Sequence, residues 1–338
     1  MKRLIALLVV VGLLVSVGVA AAAYKKEYKM SLVVGPKGPW GESATMFAKL
    51  VKEKTNGRVN IKIFFGGQLF AGKQTNEFLL LRQGVADFAL GSTINWSTTI
   101  KPLNLFSLPF FFNFQGYDQV DAVEKGNAGK YIFNYIAKRG VVGLGWGENG
   151  FRELTNWKKA IKTPDDLKGM KIRVVGSPIF IEIFRALGAN PVNMNWGSAV
   201  TAFQQHTVDG EENPINAVII PYKIYDIHKY ITVWDYLIDP LILGVNARDW
   251  RQFSKEDQKA IMESAAKALA WEKKQARKGL IGKNPPAYKF LESKGMKVTV
   301  LTPTERALFK AKTKPVFDKW IKIVGVELVK SAMEDMKK

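Results

Sequence analysis

The spacing of apolar residues in the first part of the chain changes between the periods of strands and helices. Residues 59–65 alternate apolar and polar side chains, which predicts a strand with one buried face. Residues 47–51 place apolar side chains at i, i+3 and i+4, as on one face of a helix. Further strands are predicted at 29–34 and 87–90. Strands alternating with helices predict an α/β fold with a mainly parallel sheet.

The second part of the chain repeats this order. Residues 171–175 predict a strand, and Ser177-Pro178 begins a helix that Gly188 ends. Ser254 with Asp257 resembles a capping box at the start of a long helix that runs to about residue 278. Residues 304–336 are also predicted to be helical. Two α/β lobes with no linker between them predict a chain that crosses between lobes more than once.

The N-terminus has the layout of a secretory signal peptide. Two basic residues precede the apolar stretch 4–19, and four alanines follow at 20–23. The alternative is a membrane anchor, because residues 4–23 are barely long enough to span a bilayer. We expect cleavage near Ala23 and a periplasmic mature protein, with no later segment crossing the membrane.

Composition excludes several kinds of chemistry. The 338 residues contain no Cys and two His, so disulfides, cysteine nucleophiles and His-rich metal sites are excluded. Phosphate-binding P-loop, nucleophile-elbow and zinc-protease motifs are absent. We therefore expect no cofactor and no metal. The net charge of +20 favours anionic ligands or surfaces without choosing among them.

Two arginines lie where predicted strands end. Arg173 is at the carboxyl end of the strand at 171–175, just before a helix begins, and ligands of α/β sheets bind at such ends. Its planar guanidinium suits a carboxylate, although it could instead pair with an acid such as Asp209. Arg152 follows a strand predicted at 141–146, where it could support the same ligand or be a solvated loop charge.

Two other side chains could line the same site. Asn213, within Asp209-Gly210-Glu211-Glu212-Asn213-Pro214, could contact a polar ligand or simply form a turn. Trp196 could cover the apolar part of a ligand, although most tryptophans are packing residues. Asp165-Asp166 falls in a predicted first helical turn, where stabilisation of the helix explains it better than catalysis.

Taken in order, several stretches closely resemble the solute-binding proteins of tripartite ATP-independent periplasmic (TRAP) transporters, the dicarboxylate-binding DctP type. The resemblance covers nearly all of the chain after residue 23. Its most specific stretches are Asn149-Gly150-Phe151-Arg152-Glu153-Leu154-Thr155-Asn156, Thr163-Pro164-Asp165-Asp166-Leu167-Lys168-Gly169-Met170-Lys171-Ile172-Arg173-Val174, Leu187-Gly188-Ala189-Asn190-Pro191 and Val208-Asp209-Gly210-Glu211-Glu212-Asn213-Pro214.

The resemblance implies a two-lobed periplasmic binding protein fold, joined by crossing strands and spanned by a long helix, with the ligand cleft between the lobes. Residues 24–149 and 239–278 would form lobe I, and residues 150–238 and 279–338 lobe II. The function implied is capture of a small organic acid and delivery to the membrane subunits of a TRAP permease.

The resemblance also implies roles for particular residues. Arg173 would form the main salt bridge to the ligand carboxylate, with Arg152 and Asn213 as supporting contacts. Trp196 would pack on the ligand. The residues of the first lobe at the position that varies with ligand are Ser92 and Asn95.

The chain departs from the family pattern at three positions, which are His206, Ser198 and Tyr236. They leave open the rest of the ligand, which could be an aliphatic or an aromatic acid.

Two other functions compete with that of a receptor. A secreted enzyme acting on an anionic substrate would need a base near the arginines, and His206 is the histidine closest to them in sequence. The positive charge could bind nucleic acid or anionic lipid, but Lys and Arg are spread along the chain. Their densest run, 272–278, is interpreted as a solvated helix face, and no nucleic-acid partner is expected.

Overall fold

The computed structural model describes residues 24–113 and 116–338; the predicted signal peptide lies outside these residues. Within them, the strands are β1 (Tyr28–Ser31), β2 (Ile61–Phe64), β3 (Phe88–Ser92), β4 (Val141–Phe151), β5 (Glu153–Asn156), β6 (Lys171–Val174), β7 (Asn190–Asn193), β8 (Gly210–Asn213), β9 (Tyr230–Val233), β10 (Ile238–Asn246) and β11 (Lys297–Val300). The α-helices are α1 (Gly38–Lys54), α2 (Glu77–Gln83), α3 (Thr93–Trp96), α4 (Asp118–Lys125), α5 (Asn127–Ala137), α6 (Pro178–Ala186), α7 (Trp196–Gln204), α8 (Ala247–Gln252), α9 (Lys255–Ala276), α10 (Pro286–Ser293), α11 (Pro303–Val324) and α12 (Val326–Asp335).

The strands form two sheets, which confirms the two-lobed α/β fold. The first has the order β2-β1-β3-β10-β4 and the second the order β11-β9-β5-β8-β6-β7. The prediction of a mainly parallel sheet holds only in part, because five of the nine strand pairings described are parallel and four are antiparallel. β10 pairs antiparallel with β3 and β4, and β5 pairs antiparallel with β8 and β9. Both sheets are mixed because strands adjoining the crossings between the sheets run against their neighbours.

Within the described residues the chain passes between the sheets three times, at two short crossings and at a longer one from β10 to β11 through α8, α9 and α10. β4 of the first sheet and β5 of the second are separated by a single residue, Arg152. The return passage runs from β9 to β10 through residues 234–237. The long helix α9 packs on α1 and β4, and beyond its end Asn216 Nδ2 donates to the Lys278 carbonyl at 2.8 Å. The crossings therefore bring residues from distant parts of the sequence together between the sheets.

Of the two helix starts predicted at Ser254 and at Asp165-Asp166, the first begins a long helix and the second begins only a short turn. Ser254 Oγ accepts from the backbone N–H of Asp257 at 3.0 Å, as the pattern predicts for a cap of α9. Asp166 accepts from the backbone N–H of Thr163 at 2.8 Å in a capping box, but only a 3₁₀ turn, Pro164–Leu167, follows. Burial alone would raise the pKa of Asp166, and backbone hydrogen bonds from Lys162 and Thr163 lower it instead. The contacts of Asp166 therefore agree with a role in stabilising the start of this turn rather than in catalysis.

The basic run at 272–278 is not the solvated helix face that the sequence suggests. Glu272 is buried, and its Oε2 accepts from the backbone N–H of Glu148 at 2.7 Å. Arg277 forms ion pairs with Glu148 at 2.6 Å and with Asp121 at 2.8 Å. Lys273 pairs with Glu124. These side chains attach α9 to β4 and α4, which the helical charge pattern does not reveal.

The predicted division of the chain into two lobes stays a prediction. It assigns residues 279–338 to the second lobe, yet α12 packs against α4 and α5 as well as α11. In the part of the chain that the structure describes, no helix is both long and apolar enough to cross a membrane.

Candidate functional site

A cavity with an empty volume of about 340 Å³ lies between the two sheets, close to both short crossings. It is lined by side chains from both lobes. The polar ones are Gln74, Ser92, Asn95, Asn149, Arg152, Arg173, Asn213 and Asp239, and the apolar ones are Val33, Val34, Trp40, Val175, Trp196 and Val218. The six residues named from the sequence all belong to this set.

Arg173 is buried in β6 with part of its hydrogen-bonding capacity unused. Its Nε donates to the Met194 carbonyl at 3.0 Å, and its Nη2 has no partner. The guanidinium carbon lies 5.6 Å from the centre of the Trp196 ring. Burial lowers the pKa of Arg173 to about 10, although Glu211 and Glu212 favour its charge. A buried cation without a salt bridge is costly, so this group calls for an anion.

The alternative pairing of Arg173 with Asp209 is not formed. Asp209 pairs with Lys158 Nζ at 2.7 Å, and its other oxygen accepts from the backbone N–H of Lys171 at 2.8 Å. Its negative charge is therefore satisfied away from Arg173. This leaves the guanidinium of Arg173 available to a ligand.

Arg152 is fully engaged within the protein, and its interpretation as a solvated loop charge is wrong. The side chain is 2% exposed and forms a two-pronged ion pair with Glu212, in which Nη2 and Oε1 are 2.9 Å apart. Its Nη1 lies 3.5 Å from Asp239 Oδ2. Burial lowers the pKa of Arg152, but the combined attraction and hydrogen bonding of Glu212, together with the charge of Asp239, outweigh burial and raise the pKa. Arg152 therefore holds two acids rather than presenting a free charge.

The strand before Arg152 is longer than predicted. The glycines after Trp146 suggest a loop, yet β4 continues to Phe151. Asn149 is an extra residue in the pairing with β10, because Glu148 faces Pro240 and Gly150 faces Asp239. Gly150 has a φ of 124°, which favours glycine. The bulge lets the Asn149 side chain reach Asp239 while the sheet continues.

Asp239 collects hydrogen bonds from three elements. Ser92 Oγ donates to it at 2.7 Å, Asn149 Nδ2 at 2.8 Å and Thr93 Oγ1 at 3.1 Å. Burial raises the pKa of Asp239, opposed by Arg152 and these hydrogen bonds. Ser92 ends β3 and also caps α3 by accepting from the backbone N–H of Ile94 at 3.2 Å. The hydroxyl of Ser92 is therefore used inside the protein.

Gln74 connects the two lobes at the edge of the cavity. Its Nε2 donates to Asn95 Oδ1 at 2.8 Å, and its Oε1 accepts from the backbone N–H of Trp196 at 2.7 Å. Gln74 and Asn95 belong to the first lobe, whereas Trp196 begins α7 beside the second sheet. Asn95 lies in α3. The side chain of Gln74 therefore closes the cleft on one side.

Asn213 is the last residue of β8 and is buried, so its interpretation as a turn residue is wrong. Its Nδ2 donates to Glu211 Oε2. Burial raises the pKa of Glu211 to about 7, while Arg173 opposes this shift. The pair places an amide beside Arg173.

Several cavity residues are missing from the sequence prediction. Asp239 is a lone acid in an apolar stretch, a signal that could have been noticed. Asn149 lies in the same stretch as Arg152, residues 149–156, but the sequence predicts no role for it. For Gln74 the sequence gives no local signal. Glu212, which pairs with Arg152, was named only as a neighbour of Asn213.

The three departures from the family pattern have different surroundings. Tyr236 is buried, and its hydroxyl donates to Glu212 Oε2 at 2.7 Å. Ser198 and His206 are exposed. The imidazole of His206 lies 4.6 Å from the centre of the Trp157 ring and is not among the cavity-lining side chains. The enzyme hypothesis therefore finds no support in the position of His206.

A metal centre is also unsupported. Among residues 24–113 and 116–338, no group of three His, Cys, Asp or Glu side chains could hold a metal ion. The polar groups of the cavity instead combine one guanidinium without an ion pair, that of Arg173, with amides, the Ser92 hydroxyl and the hydrogen-bonded carboxylate of Asp239. A cavity of this composition between two lobes defines a receptor for a small organic acid.

A family model described as bacterial extracellular solute-binding protein, family 7 (DctP), matches residues 30–323. The chain belongs to this family of TRAP-type solute-binding proteins. It is 30% identical to the C4-dicarboxylate-binding periplasmic protein DctP of Shewanella loihica over 308 residues. This aligned region covers 91% of this chain and 89% of the relative.

Solved structures agree with this assignment. A TRAP periplasmic solute-binding protein from Ralstonia eutropha H16, with bound (S)-2-acetolactate, is 50% identical, has a TM-score of 0.91 and covers 93% of this chain and 99% of its own. The sugar acid binding protein DctPAm from Advenella mimigardefordensis, in complex with galactonate, is 28% identical with a TM-score of 0.84, covering 93% of this chain and 98% of its own. The relatives thus bind carboxylates of different kinds.

Proposed function

We propose that the protein captures a small organic acid by binding its carboxylate to Arg173 and transfers it to a TRAP permease without converting it chemically. One observation carries the proposal. The guanidinium of Arg173 is 1% exposed, lines a cavity and has an unpartnered Nη2. A carboxylate would restore a charge-assisted hydrogen bond to this group.

The other proposed site residues act around this contact. Trp196 covers one face of the Arg173 guanidinium and forms part of the apolar wall. Asn213 contributes its side-chain amide to the same cavity as Arg173. Arg152 supports the site by its ion pairs with Glu212 and Asp239. Ser92 and Asn95 form the wall on the first lobe. The relative with acetolactate and those with sugar acids support a carboxylate as the common feature of the ligands.

Ligand binding would be coupled to closure of the lobes, here proposed as residues 24–149 with 239–278 and residues 150–238 with 279–338. A ligand that contacts both lobes favours the closed state over the open one. Contacts across the cleft, such as that between Tyr222 Oη and the backbone N–H of Gly35 at 2.7 Å, support a closed arrangement.

The cellular setting follows from the family and from the N-terminus. We propose that residues 1–23 direct export and are removed, so that the receptor works in the periplasm. There it would meet the membrane subunits of its permease, as members of this family do. Export of a tagged full-length chain, compared with one whose Lys2 and Arg3 are replaced by Glu, tests this part.

The test of the site begins with the anion that co-purifies with the protein, identified by native mass spectrometry. Its affinity is then measured by calorimetry for Arg173→Ala, Arg173→Lys and the exposed control Arg185→Ala. We expect Arg173→Ala to weaken binding at least about tenfold, because removing one partner of a buried charge pair costs ~2–5 kcal/mol. Lysine should not restore the affinity, since it lacks the planar fork. Unchanged affinity in Arg173→Ala would remove this residue from the site.

A further inference from the structure

The cavity contains one guanidinium that is free to neutralise a ligand. Arg152 is already paired with Glu212 and lies beside Asp239. The third nearby acid, Glu211, bonds to Asn213 and Thr155 and forms no hydrogen bond with Arg173. The positive charge of Arg173 is therefore the one left without an ion pair in the cavity wall.

The wall contributed by the first lobe carries negative charge. Asp239 lines the cavity together with the neutral side chains of Gln74, Ser92 and Asn95. Each of the other ionisable groups in the wall is an arginine of the crossing or of the second lobe. A second carboxylate on the ligand would therefore meet amides, a hydroxyl and a carboxylate, but no free cation. Placing like charges opposite each other in a buried site costs several kcal/mol.

A second cavity atom without a hydrogen-bond partner, Oδ1 of Asn149, indicates which other functional group the ligand carries. Asn149 is buried, and its Oδ1 has no hydrogen-bond partner. Its Nδ2 must face the Asp239 carboxylate, to which it donates at 2.8 Å, and this fixes the orientation of the amide. The cavity thus presents a lone acceptor, which needs a donor such as a hydroxyl group.

We infer that the ligand is a monocarboxylate carrying a hydroxyl group, with the carboxylate on Arg173 and the hydroxyl donating to Asn149 Oδ1. The inference rests on the proposed function and narrows its ligand class. Most other polar groups in the wall are used internally: Gln74 joins Asn95 to Trp196, and Ser92 binds Asp239. Valines complete the wall, so the remainder of the ligand is short and apolar rather than a chain of hydroxyl groups.

Two matched pairs of ligands test this class by calorimetry on the wild-type protein freed of bound anion. The first pair is malate and its 4-amide, which have nearly the same shape but two negative charges and one. We expect the amide to bind at least about tenfold more tightly, because it avoids repulsion by Asp239. The second pair is 2-hydroxybutanoate and butanoate. The hydroxy acid should bind about tenfold more tightly, because butanoate leaves Asn149 Oδ1 unpaired.

Variants connect each preference to its residue. In Asp239→Asn, the affinity ratio between malate 4-amide and malate should shrink at least about fivefold, since Arg152 keeps Glu212 while the repelling charge is gone. In Asn149→Ala, the ratio between 2-hydroxybutanoate and butanoate should approach one. These ratios are informative even if a variant lowers all affinities, because misfolding affects both members of a pair alike.

The outcomes separate the inference from the function on which it rests. If malate binds as tightly as its amide, or butanoate as tightly as 2-hydroxybutanoate, the inferred class is overturned while the protein remains a carboxylate receptor. If none of the four acids binds and the co-purified molecule carries no carboxylate, both the inference and the proposed function fail.

Discussion

Gln74 and Trp196 are joined across the cleft by a hydrogen bond of 2.7 Å, from the backbone N–H of Trp196 to Oε1 of Gln74. The same amide donates to Asn95 at 2.8 Å. The N–H groups of the first helical turn lack partners within the helix, so Gln74 satisfies one of them at the start of α7. One neutral side chain thus links closure of the lobes to the position of a cavity residue.

Replacement of Gln74 should therefore speed ligand release. In Gln74→Leu, two hydrogen bonds worth ~0.5–1.5 kcal/mol each are lost with little change in shape. We expect the dissociation rate of the co-purified ligand, followed by stopped-flow tryptophan fluorescence, to rise about tenfold. The matched control is Gln83→Leu on the exposed end of α2. Equal dissociation rates for the two variants would contradict a closing role for Gln74.

Tyr236 should contribute to stability by holding Glu212. Its hydroxyl is buried and donates to Glu212 Oε2 at 2.7 Å, beside Arg152. Tyr236→Phe removes one hydrogen bond to a charged acceptor, so we expect the free energy of unfolding in urea to fall by about 1.5–3 kcal/mol. Tyr131→Phe, at a residue that is 49% exposed, is the control and should have no such effect. A similar loss in both variants would argue against this role.

Glu77 should make stability depend on pH. Burial raises the pKa of Glu77 from an ordinary 4.5 to about 8, while hydrogen bonds from Ser31 and Trp96 oppose the shift. The folded protein keeps this proton over a range in which the unfolded chain has lost it. Stability from this group is therefore complete below pH 4.5 and is lost as pH rises towards 8.

Glu77→Gln removes that dependence. We expect the variant to be more stable than the wild type at pH 8.5 and to show a smaller decrease in stability between pH 5 and 8.5, measured by urea unfolding. Glu292→Gln, on the exposed side of α10, is the matched control. A wild-type pH profile that Glu77→Gln leaves unaltered would exclude Glu77 as its source.

Arg277 should be important for attaching α9. It pairs with the buried Glu148 at 2.6 Å and with Asp121 at 2.8 Å. Arg277→Met would leave the Glu148 carboxylate buried without its cation, a loss of about 3 kcal/mol or more. Thermal unfolding is the measurement, and Arg248→Met on exposed α8 is the control. If the two variants unfold at the same temperature, the cluster does not stabilise the helix.

The sequence predicts many of the strands and helices, and one strong site residue, because the signals for them lie within a few neighbouring residues. Arg173 was found because strand, cap and helix follow one another within a few residues. The network around it was not, because its partners are distant in sequence: Ser92 and Asp239 are 147 positions apart, and Gln74 and Trp196 are 122 apart. Such pairs are set by the two short crossings, for which the local hydrophobic pattern carries no signal.

The last residues of β4 illustrate a second limit. Gly147, Asn149 and Gly150 suggest the end of a strand. In the structure the extra residue at Asn149 and the positive φ of Gly150 keep β4 paired with β10. If the strand ended at these glycines, Arg152 would lie in a solvated loop. Because β4 instead stays paired with β10, Arg152 is buried. Whether a glycine-rich stretch breaks or bends a strand depends on its partner strand.

The crossings also have a consequence for unloading. Arg152 joins β4 to β5, and Asp239 follows the return passage at the start of β10, so part of the cavity wall lies at the two short crossings between the sheets. A transporter that levers the lobes apart must bend these same segments and break the bond at Gln74. Opening of the lobes would therefore displace residues of the cavity wall together with the segments that join the sheets.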